Sequence, residues 1–238
     1  MNAGAVILAG GSGTRMRGSV ADKVLCEIFG KPAMEHCARA FLESGGISRI
    51  CFVCKNEEQR TAIEEIVSPL TQAYDAQIFF AEGGAERQDS VLNGLRALPD
   101  DTQMVLIHDG ARPLVGAQNV KRVCESVEKN GAAVLASKVS DTIKRVPEGA
   151  KAEEKSMLED LERARLWSMQ TPQGFRMDII LPAYERVKRD NIKITDDVAA
   201  AVVCGHAVAI VENIFPNPKI TVPEDVTMVE FMLSKKAL

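Results

Sequence analysis

Groups that most often serve as side-chain bases are scarce here: three histidines in 238 residues, with no recognisable nucleophile triad. A reaction that needs no side-chain base fits such a chain. No apolar run approaches the roughly 18 residues of a membrane span, and Met1 to Gly11 has no basic start ahead of its short apolar run. Neither an anchor nor a signal peptide is expected. The formal net charge of −4 argues against a broad nucleic-acid surface while leaving room for a local basic pocket. Six cysteines in a chain of this length do not suggest a secreted disulfide framework. Cys51 and Cys54 form a C-x-x-C, but a strand would point them to opposite faces, and no second C-x-x-C or H-x-x-x-H completes a zinc site. Together these absences predict a cytoplasmic protein that binds neither nucleic acid nor membrane and has no metal held by its own side chains.

What is present is ordinary globular material, 46% hydrophobic and 26% charged, enough for a sizeable core in one domain spanning 1–238. Strand-like runs fall at Ala5 to Leu8, Ile50 to Cys54, Gln77 to Ala81, Met104 to His108, Ala133 to Ser137 and Ala207 to Val211. Helix-like stretches lie at Ala33 to Glu43, Glu57 to Val67, Arg87 to Ala97 and Gln118 to Lys129. Such alternation predicts an α/β fold with a doubly wound, mostly parallel sheet, whose ligands bind beyond the carboxyl ends of the strands.

The first of those ends is the stretch Ala5 to Lys23, AVILAGGSGTRMRGSVADK. Gly10, Gly11 and Gly13 lack a Cβ, so their backbone can turn sharply and bring N–H groups to an anion. The dinucleotide fingerprint fails because Met16 stands where its third glycine belongs, and a Walker loop fails because Gly18-Ser19 lacks the lysine. What remains is a glycine turn carrying Arg15, Arg17 and Lys23, cations able to neutralise charge on a transferring phosphoryl group. A plain strand-to-helix turn with solvated basic residues is the competing reading.

Two more strand ends carry chemistry. After the third strand, Gly83-Gly84 offers a turn that can approach a flat base, with Ser90 able to bond its edge. Arg87 and Asp89 can also be simple first-turn helix residues. After the fourth strand, Asp109 can orient a substrate or hold a metal-bound water, and Arg112 can pair with it or with phosphate. A structural Asp-Arg pair before Pro113 is the alternative, and His108 reads as a core histidine.

The loop LAGGSGTRM followed by a lysine resembles that of the sugar-nucleotide nucleotidyltransferases. The later segments GGAERQDSVLNGL, HDGARPLV, SDTIKR, LWSMQTPQGF, ITDDVAAAV and NPKITVPEDV resemble, in the same order, those of the 2-C-methyl-D-erythritol 4-phosphate cytidylyltransferase family. That resemblance implies a Rossmann-like fold and a reaction joining CTP to the polyol phosphate, with loss of pyrophosphate, in non-mevalonate isoprenoid precursor synthesis. It gives Arg15 and Lys23 the role of stabilising the transition state, and Arg163 and Lys219 that of positioning the attacking phosphate. CTP would lie on Ala9, Gly10, Gly11, Gly13, Gly83, Gly84, Arg87 and Ser90. Asp109, Arg112, Thr142 and Thr171 would meet the second substrate. Mg²⁺ would be held mainly through the CTP phosphates. Two departures stand out: Ala85 replaces a residue that is often polar in the family, and Ala21-Asp22-Lys23 replaces a proline-lysine in a loop one residue longer, which leaves Arg17 as the substitute for Lys23.

The resemblance also implies a homodimer. Lys138, Ser140, Thr142 and Lys144 alternate as one face of a strand, and Pro147 to Ser156 reads as an exposed tip, so an arm over about 138–168 projects from the sheet. In the family such an arm embraces a second subunit. Met157, Leu158, Leu161 and Ala164 have helical spacing within it, which leaves its detailed structure open. Thr195 is expected to cap a helix over Val198 to Cys204, with Asp196 and Asp197 in its acidic first turn and Gly205 as its stop. A last amphipathic helix opens at Pro223 and ends near Lys235. Alternatives to the implied activity are transfer to ribitol 5-phosphate or another polyol or sugar phosphate, and a catalytically silent nucleotide-binding protein. A nicotinamide oxidoreductase is disfavoured by the missing third glycine.

Overall fold

The computed structural model of the protein describes residues 2–10, 22–151, 153–213 and 215–236. Gly11, Gly13, Arg15 and Arg17 lie outside the described residues. The first half of the chain alternates strand and helix: β1 (Ala3–Leu8), the short β2 (Glu27–Ile28) and β3 (Lys31–Pro32), α1 (Ala33–Glu43), β4 (Arg49–Cys54), α2 (Glu57–Ala73), β5 (Gln77–Glu82) and α3 (Arg87–Ala97). There follow β6 (Met104–Asp109), α4 (Ala117–Asn130), β7 (Ala132–Lys138), β8 (Lys144–Arg145) and β9 (Glu159–Asp160). The last third holds β10 (Trp167–Arg176), α5 (Met177–Arg189), α6 (Asp197–Val203), β11 (Ala209–Glu212) and α7 (Glu224–Lys236).

Seven strands form the main sheet in the order β11-β7-β10-β6-β1-β4-β5. All run parallel except β10, which pairs antiparallel with both β6 and β7. The apolar runs of β1 and β4 suit strands covered on both faces, and their alternate residues feed two separate cores. Ala5, Ile7, Ile50 and Phe52 pack with α1, α2 and α4, whereas Val6, Cys51 and Val53 pack with α3, α5 and α6. Cys51 and Cys54 accordingly belong to opposite layers, as their spacing on a strand requires.

Several expectations need correction. β10 and α5 were not anticipated from the sequence. The predicted strand over Lys138 to Lys144 is interrupted: β7 ends at Lys138, opposite Trp167, and no strand partners residues 139–143 before β8 pairs with β9. The Met157 to Ala164 stretch, whose structure the sequence left open, contains β9 and the start of a single 3₁₀ turn at Arg163–Arg165. α2 runs past Pro69 to Ala73, because its inner face of Ile63, Val67 and Leu70 is buried against the sheet. Asp196, not Thr195, caps α6, its side chain accepting the Ala199 N–H.

Candidate active site

β1, β4, β5 and β6 deliver the residues that follow them to one rim, around a cavity of about 500 Å³. Gly10 after β1, Gly84 after β5 and Ala111 after β6 supply close backbone walls. Lys23, Lys55, Arg87 and Lys219 are four basic residues lining it against two acidic ones, Glu86 and Asp109. Such an excess of cations on a concave glycine-walled surface suits a polyanion.

The glycine walls are fixed by neighbouring strands. Ala9 and Gly10 both donate their N–H to the Val53 carbonyl, at 2.9 and 3.1 Å. Gly83 N–H donates to the Cys54 carbonyl at 2.7 Å. Gly84 N–H donates to the Ser90 hydroxyl at 3.0 Å, and that hydroxyl in turn donates to the Glu86 carbonyl at 3.2 Å. A Cβ on Gly84 would lie 2.2 Å from that of Asp89, so the turn needs glycine for its close approach. Asp89 caps α3 by accepting the Glu86 N–H, which leaves Arg87 to enter the site.

Asp109, at the end of β6, is the centre of the charges. Lys219 donates to its Oδ2 at 2.7 Å, the Arg87 Nε stands 3.5 Å from Oδ1 and the Arg112 Nε 3.8 Å from Oδ2. Burial alone would raise its pKa, but the Arg87, Lys219 and Arg112 cations together hold it well below the carboxylate range. Arg87 also makes a two-pronged contact with Asp197 at 2.7 and 2.9 Å, and the Tyr184 hydroxyl donates to the same carboxylate at 2.5 Å. Burial opposes the Arg87 charge, yet Asp197 and Asp109 outweigh it and raise its pKa.

Behind this rim His108 is fully buried, and burial lowers its pKa to about 4. The Thr171 hydroxyl accepts the Asp109 N–H at 3.1 Å and so turns its proton to His108 Nδ1 at 3.0 Å. His108 Nε2–H is left to donate to the Arg112 carbonyl at 3.2 Å. A neutral imidazole thus braces the turn after β6, the core role its sequence context suggested. Arg112 donates to the Asn217 carbonyl at 2.7 Å, which ties that turn to the segment leading to Lys219.

Of the sequence candidates, Gly10, Lys23, Gly84, Arg87, Ser90, Asp109 and Lys219 meet at the cavity. Ala9 and Thr171 are buried behind it, and Gly83 and Arg112 adjoin it. Thr142 and Arg163 sit in the arm and do not line it; Arg163 donates to the Ser140 carbonyl at 3.0 Å. Lys55 and Asp197 were missed. Lys55 directly follows β4, so the same strand-end rule that singled out the other three loops applies to it. Among the described residues no group of three or more His, Cys, Asp or Glu side chains gathers to hold a metal.

A mostly parallel sheet with helices on both faces and a glycine-walled, cation-rich cavity at its strand ends suits an enzyme that handles a nucleotide polyanion. The profile of the IspD family, 2-C-methyl-D-erythritol 4-phosphate cytidylyltransferase, matches residues 3–235. A relative of that name from Bacillus mycoides is 38% identical over 230 residues, covering 96% of each chain. The chloroplastic protein of that name from rice is 35% identical over 231 residues, 97% of this chain and 74% of its own. The crystal structure of 4-diphosphocytidyl-2C-methyl-D-erythritol synthase from Anaerococcus prevotii aligns with a TM-score of 0.84 at 26% identity, over 98% of both chains. The chain belongs to the 2-C-methyl-D-erythritol 4-phosphate cytidylyltransferase family.

Proposed function

We propose that the cavity takes CTP and that the chain transfers its cytidylyl group to 2-C-methyl-D-erythritol 4-phosphate, serving isoprenoid precursor synthesis. A phosphate oxygen of the polyol ester attacks the α-phosphorus, the bond from that phosphorus to the bridging oxygen breaks, and pyrophosphate leaves with the electron pair. The products are 4-CDP-2-C-methyl-D-erythritol and pyrophosphate. A phosphate monoester has a second pKa of about 6, so the nucleophile is already dianionic at neutral pH and needs no base. A buried neutral His108 is compatible with that economy.

The observation that carries this reading is the convergence of Lys23, Lys55, Arg87 and Lys219 on one glycine-walled cavity. Bringing polyanions together and stabilising a crowded phosphorus centre is work for fixed cations. In this reading Arg15 and Lys23 stabilise the transition state, and Lys219 and Arg163 hold the attacking phosphate. Ala9, Gly10, Gly11 and Gly13 serve the triphosphate; Gly83, Gly84 and Ser90 serve the cytosine; and Arg87 fixes Asp109. Asp109, Arg112, Thr142 and Thr171 orient the polyol phosphate. A divalent metal suits this family, and Mg²⁺ fits here through phosphate oxygens and water, since Asp109 is already engaged by Lys219 and flanked by Arg87 and Arg112. When bound, it would neutralise charge on the triphosphate.

The whole chain acts as one domain in this reading, and the 138–168 arm reaches across to a second copy. All six cysteines are free thiols, which suits a reducing cytoplasm. No helix among the described residues is long and apolar enough to cross a membrane. The test is pyrophosphate release from CTP and Mg²⁺ with 2-C-methyl-D-erythritol 4-phosphate, beside ribitol 5-phosphate and beside ATP, GTP and UTP. Release that requires CTP and the methylerythritol phosphate is expected. Preference for ribitol phosphate, or CTP binding without turnover, would overturn the assignment.

A further inference from the structure

Gln59, near the start of α2, is 2% exposed, and its amide joins three segments of the chain. Nε2 donates to the Ala9 carbonyl at 3.2 Å and to Asp22 Oδ2 at 2.6 Å, while Oε1 accepts the Lys55 N–H at 2.8 Å. Ala9 leads into the Gly10 wall of the cavity, and Asp22 immediately precedes Lys23 on its opposite side in sequence. One buried amide thus ties together the segments that carry three cavity-lining residues, through main chain beside Gly10 and at Lys55 and through the Asp22 side chain beside Lys23.

Asp22 passes that constraint on. Its Oδ1 accepts the Val24 N–H at 3.2 Å, and its carbonyl accepts the Leu25 N–H at 3.1 Å, closing a turn around Lys23. α1 holds the far side of this turn, with Met34 N–H donating to the Val24 carbonyl at 2.9 Å. The Cys26 thiol donates to the Lys23 carbonyl at 3.0 Å. The Lys55 ammonium lies 2.8 Å from Asp22 Oδ2, so the carboxylate beside the cavity is neutralised and does not repel a bound triphosphate. This arrangement occurs where the chain departs from the proline-lysine of its family, with Asp22 in place of proline. A buried network with both ends fixed rigidifies what it connects.

We propose that Gln59 is a positioning residue for the transfer: through Asp22 it sets the place of Lys23 relative to the Gly10 wall. The proposal rests on the reading of Lys23 as the cation that stabilises the transition state. A misplacement of a catalytic group by about 1 Å can cost on the order of a hundredfold in rate, without comparable loss of substrate binding.

The test is a double-variant cycle in the intact chain, read as kcat and KM with CTP and 2-C-methyl-D-erythritol 4-phosphate. Lys23→Ala alone is expected to lower kcat on the order of a hundredfold. Gln59→Leu should lower kcat about tenfold or more while KM for CTP moves less than about threefold. Combined with Lys23→Ala, Gln59→Leu should add no further loss, because its effect runs through the lysine that is already gone. Losses that multiply in the double variant, or an unchanged kcat in Gln59→Leu, would overturn the proposal. Gln59→Met gives the same cycle if Gln59→Leu fails to fold, since it too removes the amide while leaving Asp22 paired with Lys55 and bonded to Val24. A silent parent chain, or full turnover by Lys23→Ala, would overturn the underlying reading and this proposal with it. Intact dependence on Lys23 with no coupling would overturn the role of Gln59 alone.

Discussion

Asp197 has no solvent exposure, and both its oxygens are engaged, one by Arg87 and the other by Arg87 and Tyr184 between them. From the sequence it reads as part of an acidic first helical turn, because Thr195-Asp196-Asp197 ahead of an apolar run is already explained by capping. Its partner Arg87 lies 110 residues away, a separation no local pattern reports. Asp196 takes the cap, which frees Asp197 for the site. Tyr184→Phe keeps the buried ring but removes a bond to a charged acceptor, and should cost about 1.5–3 kcal/mol of stability in denaturant unfolding. A loss below a few tenths of a kcal/mol would show that the hydroxyl carries no strain-bearing bond. His108 gives a second prediction, about pH. Its folded pKa is lowered to about 4 from an unfolded value near 6.5, so between these values the unfolded chain binds more protons. Stability is therefore full above about pH 6.5 and falls as pH drops towards 4, by about 3 kcal/mol over the window. Unfolding curves at pH 7 and pH 5 check this, and His108→Gln should flatten the dependence.

At the scale of elements, periodicity succeeded where one pattern filled a whole segment. α1 and α3 fall on the bounds expected from the sequence, and β1, β4 and β6 extend theirs by one or two residues. It failed at β10, whose WSMQTPQGF is polar, non-alternating and interrupted by Pro172. A proline argues against a central strand, but here it sits where the pairing with β7 shifts register between Met169 and Gln173, so no ladder N–H is missed. The strand exists because β6 and β7 leave a lane between them, which is tertiary information. Gly94 in α3 illustrates the opposite case, a residue whose local preference is poor and whose packing decides. A Cβ there would stand 2.5 Å from Val6 Cγ1 and 2.8 Å from Val53 Cγ2, so helix and sheet touch through the glycine. Gly94→Ala gains up to about 1 kcal/mol of helix propensity. Overpacking costs about 1–3 kcal/mol and should win, giving a net loss in denaturant unfolding. A stabilised variant would mean that α3 can move off the sheet freely.

For the whole molecule, the arm is the feature that a single chain leaves unexplained. β8 and β9 pair over only two residues each, and the hairpin around them exposes Ile143, Val146, Met157 and Leu158, the last two at 88% and 55%. A ribbon this short and this apolar on its surface gains little stability from its own pairing, and a second copy is the partner proposed for it. Arg163 is on the arm and does not line its own chain's cavity, so in the proposed dimer its place would be the site of the second copy. That assignment makes a quantitative prediction. Lys23→Ala and Arg163→Ala should each be nearly inactive as homodimers. Co-expressed in equal amounts, half of the dimers carry one of each chain, and in these one site receives both an intact Lys23 and an intact Arg163. About a quarter of the parent activity should return. If Arg163 acts within its own chain, no site in the mixed dimer is complete, and activity stays at the mean of the two variants.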